Sequence, residues 1–511
     1  MQRSTGHPPR FRHVFEKLGR IKRWVAPSAR PSHQAEGALG ERPPSLATPA
    51  AAPSREITAR ERRALVALSW PIAVGMLGET AVGLVDTKLV GALGPEALAG
   101  VGVATVLMYL GYAVTFGLLR GVKVRTAHAV GAGKPEDGVA YAKAGALLAF
   151  GLGLAIFALG RDVSWALRLL GVDPRIAPHS LAFFEAVSWG APGACVASAL
   201  LQYRQGKGDA KTPMTLGLVG NVANAALALA LIHGLGPIPA MGVRGCGLAT
   251  AIVQTGLAFV WLGLLARERR PPRLALGQAS REVLSLGAPT ALQFGLEMLA
   301  FTAFTGLISG FGASAMAAHQ VALMVLRASF LPGIAVGEAA SILVGQALGA
   351  RDLARADRVV RSAVTLAVGF MAACGLVFAA AGAPIARAFA SDPEVVTLAA
   401  KLLLLAALFQ VLDASNIVLR GSLRGAKDVR VPALFGIVII WVAVPGAAFL
   451  LGKQLGLGVL GAWGGFLVET ALGTLVLGLR WAKGGWRRAY EGERVEAREG
   501  VGAPTPAAAA A

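Results

Sequence analysis

The chain has 511 residues, of which 55% are apolar and only 15% charged, against about 25% charged in an average soluble domain. Its mean hydropathy is +0.60, and Lys plus Arg exceed Asp plus Glu by 20. These values exclude a disordered chain, a disulfide-framed secreted domain and an ordinary soluble enzyme. No charged, water-facing domain is visible that would make the basic excess a nucleic-acid footprint. Cys195, Cys246 and Cys374 all lie in apolar runs, which argues against a disulfide framework or a thiolate zinc site.

Residues 1–60 form a basic, Pro-rich tail without the apolar core of a signal peptide. Within it Phe11, Val14, Phe15, Leu18, Ile21 and Val25 recur at helical spacing among Arg12, Lys17, Arg20, Lys22 and Arg23. That pattern predicts an amphipathic helix over residues 10–25, suited to an anionic leaflet. Beyond Arg63 come twelve apolar segments, near 65–90, 98–122, 142–160, 180–203, 212–233, 246–266, 283–309, 315–346, 360–381, 396–419, 431–451 and 458–480. Each is long enough to cross roughly 30 Å of hydrocarbon, and only helices satisfy the backbone across so many spans. Residues 483–511 read as an Ala-rich cytoplasmic tail.

With the N-terminus inside, about 21 Lys and Arg fall in inside loops and 6 in outside loops. The inside set includes Arg120, Lys123, Arg125, Arg420 and Arg424. The expectation is a multi-pass protein of the cell inner membrane with both termini cytoplasmic. The sequence also repeats itself. Pro71 and Glu79 recur as Pro289 and Glu297, and Gly131-Ala132 as Gly349-Ala350, at an offset of 218. Asp173-Pro174 recurs as Asp392-Pro393, and Gly206, Asp209 and Pro213 as Gly425, Asp428 and Pro432, at 219. Six spans per repeat put both halves in the same orientation. The expected fold is therefore an all-α polytopic membrane protein of twelve transmembrane helices. These form two six-helix lobes, residues 61–270 and 271–482, related by a pseudo-two-fold axis along the membrane normal.

Several motifs then carry a family resemblance over roughly residues 60–482. The first span has Pro71, Val85-Asp86-Thr87 and Gly91-Ala92-Leu93-Gly94. The eighth has Ala317-Ala318-His319-Gln320 and ends Leu343-Val344-Gly345-Gln346-Ala347-Leu348-Gly349-Ala350. After the tenth comes Leu419-Arg420-Gly421-Ser422-Leu423-Arg424-Gly425, then Asp428 and Pro432. The pattern resembles the multidrug and toxic compound extrusion (MATE) family of cation-coupled antiporters. The resemblance implies two six-helix lobes and export of organic, often cationic, compounds against inward H⁺ or Na⁺.

An ionisable side chain inside a span costs a few kcal/mol on insertion scales and is by default a functional candidate. Glu297 lies about fourteen residues into the seventh span, roughly 21 Å along it. Together with Asp413 it resembles the acidic cation site in the C-terminal lobe of NorM-like members. Asp413 has no repeat mate, because the offset lands on Ala194. Two carboxylates sharing a dry cavity can hold a proton, or ionise and collect Na⁺. Asp86 matches the family's first-span aspartate, with Lys88 in place of a neutral residue. Glu79 is the repeat mate of Glu297 and shares a helix face with Asp86. Glu338 and Arg327, eleven residues apart, are expected to share a face of the eighth helix. Asn221, Asn224 and Gln320 complete the candidate cavity. Where the DinF-like branch carries an aspartate in the fifth span, this chain has Ala228, which shifts weight to the C-lobe acids. His319 reads as a packing and hydrogen-bonding residue.

The reading is a non-enzymatic antiporter, working as a monomer in the lipid bilayer. It moves small organic compounds and uses no cofactor beyond its coupling ion. The alternatives are a lipid-linked or other small-molecule flippase of the same superfamily, and a membrane sensor or scaffold that recruits partners through its basic tail.

Overall fold

The computed structural model describes residues 55–235, 239–268, 271 and 273–487; the tail expected to be helical over 10–25 lies outside the described residues. The first repeat holds α1 (Arg55–Gly91), α2 (Pro95–Gly131), α3 (Pro135–Gly160), α4 (Ser164–Leu169), α5 (Ala177–Ser188), α6 (Ala191–Gly206), α7 (Lys211–His233) and α8 (Gly242–Ala266). The second holds α9 (Leu276–Ser309), α10 (Ala313–Gly349), α11 (Leu353–Arg387), α12 (Pro393–Gly425), α13 (Arg430–Ala447) and α14 (Gly458–Ala482). A π-helical stretch, Ala448–Gln454, continues α13. Among the described residues eleven helical segments are long and apolar enough to cross a membrane; α5 and α6, bent by 54°, make a twelfth. Each apolar segment read from the sequence falls inside one of these spans.

The helices outrun the apolar segments, and this corrects the loop assignments. α1, α2 and α10 each run 37 residues. Arg120, Lys123 and Arg125 therefore stand inside α2, and Arg420 and Arg424 inside α12. A hydropathy window stops at the first cluster of charges. The helix continues, because its backbone bonds do not depend on side-chain polarity and a neighbouring helix supplies the counter-charge.

The internal repeat is written into the turns. Gly94 and Gly312, 218 residues apart, open α2 and α10 with φ of 114° and 106°. Gly133 and Gly208 close helices with φ of 73° and 89°, and their repeat mates Arg351 and Lys427 each take φ of 63°. A left-handed conformation costs an L-residue about 1–2 kcal/mol, a cost the second repeat bears where the first has glycine. Asp173 and Asp392 each accept a hydrogen bond from the backbone N–H two residues on, at 2.8 Å. The repeats differ where α5 and α6 meet at an angle while α12 runs unbroken. They differ again at Ala381 of α11, where φ is −121° three residues before Pro384. Proline removes the hydrogen bond to the preceding turn and crowds its carbonyl, so the break falls there.

Packing separates the lobes at one end and fuses them at the other. At one end the first lobe has its own core of Val90, Ala104, Met108, Phe183, Phe184, Ile232 and Val243. The same end of the second packs Phe304, Ile308, Phe378, Phe409, Val444 and Trp463. At the other end one cluster joins Leu65, Leu68, Ile72 and Ala127 to Ala335–Leu348 and Val418. Glycines permit that approach: a β-carbon on Gly121 would meet Val283 O, on Gly131 Gln346 O, on Gly287 Leu118 O and on Gly349 His128 O. The C-terminal half of α10 is accordingly buried almost all round from Gly333 to Leu348. The two lobes thus enclose a cleft, shut at the end carrying the start of α1 and α9 and the end of α2 and α10.

Gly287→Val drives a side chain into the α2 backbone, at the usual cost of about 1–3 kcal/mol for overpacking. Thermal unfolding in detergent should show a clear loss of stability for this variant. Gly277→Ala, on the same helix with open space around it, should leave the midpoint unchanged.

Candidate functional site

Two charge clusters lie along the wall and floor of the cleft. The first is on the C-lobe. α9 supplies Glu297, α12 supplies Asp413, Asn416 and Arg420, and α14 supplies Glu469. Arg420 Nη1 lies 2.6 Å from Glu297 Oε1, and Arg420 Nη2 lies 2.7 Å from Glu469 Oε1. Arg420 Nε donates to Asn416 Oδ1 at 2.8 Å, and Gln293 Nε2 donates to Glu297 Oε1 at 2.9 Å. Asn416 Nδ2 reaches the same Glu469 oxygen at 3.4 Å. Asp413, seven residues before Arg420 on α12, is within electrostatic reach of Arg420 and Glu469. Arg420 thus pairs directly with Glu297 and acts on Asp413 only through its charge.

The second cluster closes the floor. Glu338 of α10 is buried, and Arg120 Nη2 of α2 lies 2.7 Å from its Oε1. Lys123 Nζ bonds its Oε2, and Arg424 Nη1 reaches Oε1 at 3.2 Å. Arg120 also sits over the rings of Phe116 and Phe294, 5.1 and 4.4 Å from their centroids. Further cross-lobe bonds surround the cluster. Arg125 Nη1 pairs with Glu282 Oε2 at 3.3 Å, and the Tyr141 hydroxyl donates to the same oxygen at 2.5 Å. His128 Nε2 meets Gly425 O at 2.8 Å, and Arg355 Nε meets Glu61 Oε1 at 3.3 Å. At the nearby helix ends, partial burial works to raise the Glu268 carboxyl. Lys207, 2.7 Å away, and Arg204 hold it below the usual range.

Glu338 pairs with Arg120, Lys123 and Arg424, whereas Arg327 is exposed, on the open half of the same helix. Eleven residues place the two side chains three turns apart. The lobe interface passes between those levels, so each meets a different neighbour. Arg327 lies within electrostatic reach of Tyr109 of the other lobe, as does Glu79. Glu79 is exposed, and Gln320 is exposed on α10. Asp86 is half-buried and accepts from Asn224 Nδ2 at 3.2 Å. The Asn221 side-chain nitrogen packs beside Gly78, one residue from Glu79. Lys88, in the last turn of α1, is exposed. Trp463 Nε1 donates to His319 Nδ1 at 3.1 Å inside an aromatic cluster with Phe304, the packing role expected of His319.

Sequence reading missed Arg420 and Glu469 as site residues, and Arg120, Lys123 and Arg424 as partners of Glu338. Arg420 fell one residue past the end drawn for the tenth span and was counted as a loop cation. Glu469 had an available signal, an acid eleven residues into the last apolar segment.

A two-lobe, twelve-span helical chain, with ionisable groups lining a cleft open at one end only, is the architecture of a secondary transporter. The chain belongs to the MatE family, whose model matches residues 71–230 and 289–449, one match in each repeat. The multidrug resistance protein MdtK of Yersinia enterocolitica is 30% identical over 435 residues, covering 82% of this chain and 95% of that protein. MdtK of Proteus mirabilis is 30% identical over 440 residues with the same coverage. Among solved structures, a MOP superfamily transporter from Pyrococcus furiosus superposes with a TM-score of 0.76 at 21% identity, covering 84% of this chain and 96% of that one. The eukaryotic MATE transporter AtDTX14 gives 0.75 at 20% identity, covering 86% and 99%. The family is one of transporters, not enzymes.

Removing one member of a buried ion cluster leaves the others uncompensated, at a typical cost of about 3–5 kcal/mol. Glu338→Gln should therefore lower the thermal midpoint of the purified protein by several degrees, and Arg327→Gln should not.

Proposed function

We propose that the protein is a multidrug antiporter, exporting organic compounds, cationic or amphipathic, in exchange for inward H⁺ or Na⁺. The observation that carries this reading is the acid cluster of Glu297, Asp413 and Glu469 on the wall of a cleft whose opposite end is shut. Three carboxylates against one arginine leave a negative field in a low-dielectric setting, which attracts an organic cation or a coupling ion. Charging the cluster with the coupling ion cancels that field and favours release of a cationic substrate into the open cleft. With both termini cytoplasmic in the inner membrane, as the basic helix ends support, the shut end faces the cytoplasm. The described state is then outward-facing.

The return stroke opens the other end. The lobes separate where Glu338 meets Arg120 and Lys123, while Glu297 and Asp413 turn toward the cytoplasm and give up the ion. Coupling arises because ion and substrate each bind better to one of the two states. Asp86 with Asn224, and Glu79 near Asn221, form an N-lobe wall that modulates binding, with Gln320 and Arg327 on the facing C-lobe helix. One chain holds both lobes, which supports a monomer as the working unit.

In proteoliposomes with an imposed ion gradient, Glu297→Gln and Asp413→Asn should each slow efflux of a fluorescent organic cation roughly tenfold or more, within the usual size of a coupling free energy. Gradient-driven efflux unchanged in both variants would refute the assignment.

A further inference from the structure

Arg420 occupies the place where a bound metal cation would have to sit. Its three nitrogens each donate, to Glu297, Glu469 and Asn416, at 2.6, 2.7 and 2.8 Å. The carboxylate oxygens it takes are already shared: Glu297 Oε1 also accepts from Gln293, and Glu469 Oε1 from Asn416. A hard cation such as Na⁺ needs several oxygens converging on one point. Here a planar guanidinium lies between them, tethered to α12, and a guanidinium does not lose its charge in a protein. For Na⁺ to bind, two charge-assisted ion pairs inside the membrane would have to break first. A proton needs no such vacancy, because it adds to one free carboxylate oxygen and leaves the guanidinium where it is.

The internal repeat supplies a comparison within one chain. Glu79 is the repeat mate of Glu297, but the mates of Arg420 and Glu469 at the offset of 219 are Leu201 and Thr250. Glu79 is exposed, whereas Glu297 is ion-paired. Arg420 and Glu469 therefore belong to the C-lobe alone, together with Asp413, whose mate is Ala194.

We propose that Arg420 is a built-in counter-cation that fills the C-lobe site in place of an alkali metal ion, and so makes the proton the coupling ion. This rests on the antiporter reading and narrows it. The charged groups facing one another are Glu297 on α9, Asp413 and Arg420 on α12, Glu469 on α14, and Arg120 on α2, which is within electrostatic reach of Glu297. Asp413 makes no ion pair among the described residues, so it is the carboxylate that takes up the proton from the open cleft and surrenders it on the other side. No other bond is made or lost.

The test uses the full-length protein in two formats. In proteoliposomes loaded with ethidium, a pH gradient should drive transport at least roughly fivefold above the no-gradient rate. A Na⁺ gradient at equal pH, balanced with choline, should match the no-gradient rate. In detergent, exchanging choline chloride for NaCl at constant ionic strength should leave the thermal midpoint of the wild type and of Arg420→Lys unchanged. The same exchange should raise that of Arg420→Ala by roughly 2 °C or more. Na⁺-driven transport by the wild type overturns the role of Arg420 and leaves antiport standing, as does Na⁺ stabilisation of the wild type. Transport under neither gradient overturns antiport of this cation, and the thermal comparison then decides the role of Arg420 by itself. If Arg420→Ala does not fold, indifference to Na⁺ in both the wild type and Arg420→Lys supports the proposal, and stabilisation of either overturns it.

Discussion

Glu338 is one carboxylate, shut away from water, on which Arg120 and Lys123 converge from one lobe and Arg424 from its own. Everything at the closed end is arranged around that fact. Ionised groups at this depth are tolerable only when paired, so α2, α10 and α12 must stay together as long as the charges do. The glycines at 121, 131, 287 and 349 let the backbones come close enough for the pairs to form. The shared apolar cluster around Leu65, Leu68 and Ala335–Leu348 then excludes water from them. At the other end the described residues show no such ion pair between lobes, and each lobe packs around its own core.

This division of labour suits alternating access. Close-packed interfaces switch between discrete arrangements and do not deform continuously, and a small set of buried charges reinforces this, being either paired or parted. A proton gradient of one unit supplies about 1.4 kcal/mol per proton. That is a modest sum beside the cost of stranding a buried ion, so opening requires that the parted charges meet water or ligand as they separate. Arg120 stands within electrostatic reach of Glu297 as well as bonded to Glu338. The charge state of the cleft wall and the closure of its floor therefore act on a common residue.

The architecture was legible in the sequence because two of its causes are local. Twelve apolar runs fix the spans, and the constant offset of 218 to 219 residues fixes the duplication. Even the loss of glycine at Arg351 and Lys427 leaves the turns intact. The candidate acids Glu297, Asp413 and Asp86 stood out because an acid inside an apolar run is conspicuous. Their partners did not, because pairing is a tertiary property. Arg420, Arg424, Arg120 and Lys123 sit where the apolar runs end and satisfy a simple reading as inside-loop charge. Which acid each one meets depends on how six helices of one repeat pack against six of the other. Glu338 and Arg327 meet different neighbours for the same reason: one helix carries both, but packing decides what faces each. The break at Ala381 went unread because Pro384, which causes it, lies beyond the ninth apolar segment as drawn from the sequence.

The buried charge cluster holds the lobes together at one end, the end that the proposed cycle must open. The most direct measurement is the distance between spin labels at Lys134→Cys and Leu353→Cys, exposed positions on the two lobes just beyond the cluster. The three native cysteines would be replaced by alanine and the protein held in lipid nanodiscs. One short distance is expected in the resting protein. A second, longer population should grow on adding an organic cation and grow further in a Glu338→Gln background. A single short distance, unchanged by ligand and by loss of the Glu338 charge, would contradict it.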